Sequence, residues 1–246
     1  MNKLKILLVT FFFILIALLS VAQKDMLSDI EIWKNQTDYI QFLNNNDVSP
    51  AFFYEDASYL GIFGENKYKI NIRFDQVSKE SDEIYSVIGQ SRLKGKIVGF
   101  NGEIIIERVE LVNLNIDYKE LCLVLVGTYT FFEDDKKGVF QGSYRKYLIY
   151  SWKDNSIIPA DNHMELSDSE GYAGVWKNLD SMKEYSCLFG FSRYSEELGG
   201  DFDNRGGEPI INLKYKNSGW ETQYTHEVNI GYYWNVDSND KWWIEK

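Results

Sequence analysis

Proline, cysteine, histidine and cationic side chains are all scarce in this sequence. Only three prolines occur in 246 residues while aromatics reach 16%. That usage argues against a loop-rich or disordered chain and for pleated sheet. Two cysteines, Cys122 and Cys187, are too few for a disulfide scaffold. An oxidising exterior permits one bridge between them, whereas the apolar run around Cys122 also suits a buried thiol that acts as a small hydrophobe. The two histidines, His163 and His226, stand far apart with no second histidine or cysteine at ligand spacing, and there is no Gly-x-Ser-x-Gly elbow. Zinc chemistry and Ser/His or Cys/His catalysis therefore lack their usual parts. Against 37 acids there are only 26 lysines and arginines, a net charge of −11. Nucleic acid is a poor partner for such a chain, because its binding is driven by cations that displace counterions from phosphate.

The N-terminus carries the longest apolar run. Lys3 and Lys5 precede the block at residues 6–19, and Ser20-Val21-Ala22 follows it. This is the pattern of a cleavable export signal over residues 1–22. The block is shorter than the roughly 20 apolar residues of a membrane span. Gln23 stands where lipid attachment needs cysteine, so no membrane anchor is expected. The mature chain is expected in the periplasm or outside the cell.

After the signal, Ser28 and Glu31 form a capping box, and Ile30, Trp33, Thr37, Ile40 and Leu43 recur at helical spacing. A short N-terminal amphipathic helix is expected, ending at Asn44-Asn45-Asn46-Asp47. The period then changes to two. Tyr68, Ile70, Ile72 and Phe74 alternate with polar residues, and further strands are expected at 84–91, 94–100, 103–111 and 121–132. Residues 133–138 would close a long hairpin onto a strand at 139–152. Four segments share the order aromatic, any residue, glycine, any residue, large apolar: Tyr59 to Phe63, Phe100 to Ile104, Phe140 to Tyr144 and Tyr172 to Trp176. In an extended chain the glycine and both large side chains share one face, as at the bends of a barrel. The fold class is mainly β: a curved antiparallel sheet, closed as a barrel or stacked as a sandwich. Residues 23–153 form the helix and first β domain, 154–171 a linker, and 172–246 a C-terminal β subdomain, separate from the first or continuous with it. Its strands are expected near 185–194, 209–214 and 228–236, with a final one at 241–245.

Two segments attract a ligand reading. Tyr232, Trp234, Trp242 and Trp243 would bring rings from two strands into one platform, suited to stacking on a sugar or a partner side chain. Asp201, Asp203 and Glu208 resemble the start of a calcium loop, with Arg205 breaking the ligand pattern. Calcium is the one cofactor with a local candidate. The Ala22-Gln23 junction, the aromatic-glycine segments and the stretch from Gly174-Val175-Trp176 through Cys187 to Gly219-Trp220 resemble exported proteins of Bacteroidetes-type bacteria. The resemblance implies a Gram-negative periplasmic or secreted setting and assigns no residue a role. The leading expectation is a non-enzymatic protein that binds another protein or a glycan. The alternatives are a carboxylate-dependent glycan hydrolase and an immunity-like protein that neutralises a toxin.

Overall fold

The computed structural model describes residues 41–53, 58–115, 119–160, 170–190, 202–203, 210–220 and 242–243. These fall within one compact unit, Ile40–Lys246. The alternation from Tyr68 onward makes sheet. Strands β1 (Tyr59–Phe63), β2 (Tyr68–Lys79), β3 (Ile84–Leu93), β4 (Lys96–Asn115), β5 (Glu120–Glu133) and β6 (Gly138–Ser151) run as an antiparallel meander. Strands β7 (Ser156–Pro159) and β8 (Gly171–Asn178) then pair, one beyond the other, with the same edge of β6. β9 (Glu184–Gly190) pairs with β8 on one side and β1 on the other. The sheet therefore closes as an up-and-down barrel with eight strand positions, one shared by β7 and β8. A separate two-stranded ladder joins β10 (Phe202–Asp203) to β11 (Ile210–Ile211).

Closure resolves the choice between barrel and sandwich, and it places the strands on both sides of residues 154–171 in one ring. The interior is built from rings. Tyr59, Phe74, Phe100, Tyr129, Phe131, Phe140, Tyr144, Tyr172 and Phe189 are all buried. Tyr172 and Phe189 stack at 4.5 Å with planes 6° apart, and Phe100 and Phe131 stack at 5.0 Å. Each such pair contributes about 0.5–1.5 kcal/mol beyond its burial. Room for the rings comes from the four aromatic-glycine segments, whose glycines face inward between large side chains. Gly142 and Gly174 oppose each other across β6 and β8, and a Cβ on either would stand 2.7 Å from the other's Cα.

One end of the barrel is closed. Helix α1 (Phe42–Asn45) and a 3-10 turn (Ser49–Ala51) bring Phe42, Leu43, Val48, Ala51 and Phe52 into the core. Phe52 packs edge-on to Tyr144, and Tyr59 donates its hydroxyl hydrogen to the Phe52 carbonyl at 2.9 Å. Lys79 Nζ donates to the carbonyls of Leu43 and Asn46. The chain leaves α1 where the asparagine run foretells: Asn46 is extended, and its side-chain amide donates to the Phe42 carbonyl at 2.8 Å. The export signal and most of the expected helix lie outside the described residues.

Three expected elements differ. Segments 94–100 and 103–111 are one continuous strand, β4, because Gly102 sits inside the barrel wall opposite Phe131 and makes no turn. Among the described residues of 209–214, Ile210–Ile211 is strand, and Leu213–Ser218 turns as a 3-10 helix in which Asn212 Oδ1 accepts from the Lys214 amide. Trp242 and Trp243 lie in a turn, not in a final strand.

Candidate functional site

Among the described residues, no segment plugs the opposite end of the barrel. Four turns surround it: those joining β1 to β2, β3 to β4, β5 to β6 and β8 to β9. Within them lies a cavity of about 990 Å³. Mouths of β-barrels are common ligand sites, and pockets of roughly 300–1,000 Å³ suit small molecules.

Aromatic faces form its wall. The alternation that fills the barrel continues to the mouth, so Phe63 and Tyr68 follow from β1 and β2, Phe140 from β6, Trp176 from β8 and Tyr185 from β9. Phe63 and Tyr185 stack at 5.6 Å, and Trp176 lies 5.8 Å from each of them. Tyr185 is 40% exposed, so this ring cluster meets solvent within the cavity.

Beside the rings lies one carboxylate with little contact with water. Glu133 ends β5 two residues after the inward-facing Phe131, which turns it inward as well, and it is only 9% exposed. Trp176 donates a hydrogen bond to it. Gly138 lets the two meet, since a Cβ there would stand 2.1 Å from Trp176 Nε1 and 2.4 Å from Glu133 Oε2. Burial pushes the Glu133 carboxyl above the usual carboxylate range, and nearby Asp135 adds to the shift; the Trp176 hydrogen bond and Lys96 oppose it. Asp135 lines the same cavity but is held below its usual range, chiefly by its hydrogen bond to Lys96. The Lys137 amide also donates to it, at 3.0 Å.

The lysines stand at the rim. Lys94, Lys96, Lys137 and Lys183 line the cavity and are exposed. Lys94 and Gly95 form the two-residue turn of a hairpin, both with positive φ, as a primed turn requires. That turn brings Lys94 Nζ to 3.5 Å from the Tyr68 ring centroid.

Of the residues singled out from sequence, Trp242 and Trp243 are described and do not line this cavity. Trp242 is 3% exposed, meets Trp243 edge-on at 5.7 Å and directs its indole N–H toward Ser58 Oγ at 3.4 Å. Arg73 lies 4.3 Å over Trp243 and Arg92 lies 5.1 Å over Trp242, so this pair packs on the outer face of β2 and β3. Tyr232 and Trp234 lie outside the described residues, as do Asp201 and Glu208; Asp203 ends β10. Cys122 and Cys187 are separate buried thiols, not a bridge. Cys122 faces outward from β5 among Val124, Tyr147 and Ile149, whereas Cys187 faces inward from β9, and those strands are not neighbours.

Sequence reasoning missed Glu133, Tyr68 and Tyr185 as site residues. Phe63, Phe140 and Trp176 were visible as members of the aromatic-glycine segments, but only the closed ring shows which rings end at an open mouth. Compared with known proteins, the chain matches no family model, no curated protein and no solved structure.

Proposed function

We propose that this protein is an exported, non-enzymatic binding protein that holds a small ring-bearing ligand in the mouth of its barrel. The observation that carries the reading is the asymmetry of the barrel: rings and the 42–52 segment fill one end, while the other keeps a cavity of about 990 Å³ walled by aromatic faces. Flat aromatic walls recognise flat or apolar ligand bodies, and a few fixed polar groups such as Glu133 set orientation. A sugar ring, including one at the end of a glycan, fits that description. Export, read from residues 1–22, would expose the mouth to ligands outside the cytoplasm.

One observation favours a second reading. Glu133 and Asp135 share the cavity and have acidities pushed in opposite directions. Two carboxyl groups whose environments push their acidities apart in one cavity are what a glycosidase uses.

The two readings separate in one experiment. A library of ring-bearing fragments and oligosaccharides is screened for binding by ligand-observed NMR, and for hydrolysis by product release, with the wild type and with Asn178→Trp, which fills the mouth from β8. The binding reading expects hits that Asn178→Trp abolishes and no turnover, with the variant still folded and its Tm lowered only by loss of the two hydrogen bonds that Asn178 accepts from Ser181. Hits unaffected by Asn178→Trp would overturn it, and turnover lost in both Glu133→Gln and Asp135→Asn would establish the hydrolase instead.

A further inference from the structure

We infer that the ligand of the barrel mouth is an organic cation, an ammonium or amidinium group carried on a flat or apolar body. This rests on the mouth being a ligand site and adds its chemical class.

Three features of the cavity point the same way. The first is the pairing of rings with a carboxylate. Trp176 belongs to the cluster with Phe63 and Tyr185 and also donates to Glu133, so one ligand can touch ring faces and acid together. Ring faces attract a cation within about 6 Å of the centroid, most strongly where water is excluded. The second is a cation already seated on this wall. Lys94 Nζ lies 3.5 Å from the Tyr68 ring centroid, showing that an aromatic face of the mouth accepts an ammonium group. The third is depth. Glu133 is 9% exposed, whereas the four lining lysines are exposed at the rim. Coulombic interaction is several-fold stronger away from bulk water, so the buried carboxylate outweighs the solvated lysines in choosing the sign of the ligand.

The remaining charges agree with this choice. Lys96 is engaged by Asp135 at 3.1 Å, and Lys94 by Tyr68. Glu65 adds an acidic group to the lining, Glu184 adds another that is paired with Lys177 at 3.6 Å, and the chain as a whole carries −11, which favours the approach of cations. A bare metal ion fits less well, because hard cations take several oxygen ligands and gain little from ring faces.

The test uses three probes with one indole body and one chain length: tryptamine, which ends in an ammonium group; tryptophol, which ends in a hydroxyl; and indole-3-propionate, which ends in a carboxylate. Each is titrated by calorimetry into the full chain at neutral pH. Tryptamine is expected to bind at least about tenfold tighter than tryptophol, with indole-3-propionate weakest. Glu133→Gln, which keeps shape and hydrogen-bond capacity, is expected to bring tryptamine down to the tryptophol level and leave tryptophol unchanged. Equal affinities, or a preference for indole-3-propionate, would overturn the cation inference while leaving the mouth a binding site. Equal loss of all three probes in Glu133→Gln would overturn the role of the carboxylate. No binding of any probe at millimolar concentration would overturn both the inference and the function on which it rests. The wild-type series ranks the three probes even if the variant folds poorly.

Discussion

Glu133 holds its charge in a place that favours the neutral form, with the Trp176 indole as hydrogen-bond donor and Asp135 and Lys96 as the charged neighbours. A carboxyl whose folded pKa is raised contributes stability below its ordinary pKa and loses it as pH rises through the raised value. Glu133→Gln should therefore have a higher denaturation midpoint than wild type at neutral pH, the gap closing as the solution is acidified. Urea titrations across pH check this, and a variant less stable at neutral pH would contradict it. Tyr129 makes a related prediction. Its hydroxyl is buried without a hydrogen-bond partner among the described residues, and burial pushes its pKa well above the usual value, so it stays protonated. An unpaired buried hydroxyl is costly, so Tyr129→Phe should leave stability unchanged or raise it by up to ~1 kcal/mol; a loss larger than that would show a hidden partner. The cysteines are also testable as single residues. Burial pushes the Cys122 thiol up to about 11 and raises Cys187 as well. Thiol counting should find two free groups in the denatured, unreduced protein and slow reaction of both in the native state; fewer than two would show a bridge.

Between elements, close packing sets the energetics. Gly142 and Gly174 let β6 and β8 approach, and a Cβ on Gly142 would stand 2.1 Å from the Ala173 carbonyl oxygen. Gly142→Ala should cost about 1–3 kcal/mol in urea unfolding, as overpacking does. The join between β6 and the start of β8 is held by a different force. Lys146, wholly buried on β6, pairs with Glu170, which is 5% exposed just before β8. Removing one partner of a buried pair leaves the other charge uncompensated, so Lys146→Met should cost about 3–5 kcal/mol; a neutral result would contradict the pairing. These elements were unequally legible in the sequence. Alternation from Tyr68 to Asp75 and the acidic turn after Phe132 gave β2 and the β5–β6 hairpin, because period two and turn chemistry are local signals. Asn101-Gly102 fell between two expected strands yet lies within β4, since the demand for a glycine there comes from Thr130 and Phe131 across the sheet. The buried Lys146 carried no local mark, as its partner stands on another strand.

At the scale of the whole barrel, the described residues make it aromatic within, closed at one end and hollowed into a cavity at the other. The curved antiparallel class was legible from alternation and strand length, but closure was not, because the pairing of β9 with β1 joins segments more than a hundred residues apart. The site depended on that closure. Trp176 and Phe63 read as packing rings in their own segments and become cavity wall only where the ring ends, while Glu133 read as part of a turn. The aromatic run near the C-terminus drew attention because its rings are adjacent in sequence, yet Trp242 is buried against Ser58 and Arg92. Trp176 and the Trp242–Trp243 pair thus report on two separate places, which makes the central claim directly measurable. In the nitrogen-15 spectrum of the indole N–H groups, titration with tryptamine should move the Trp176 resonance and leave the Trp242–Trp243 pair in place. Shifts confined to Trp242 and Trp243, or a Trp176 signal that never moves, would contradict the assignment of the barrel mouth as the binding site.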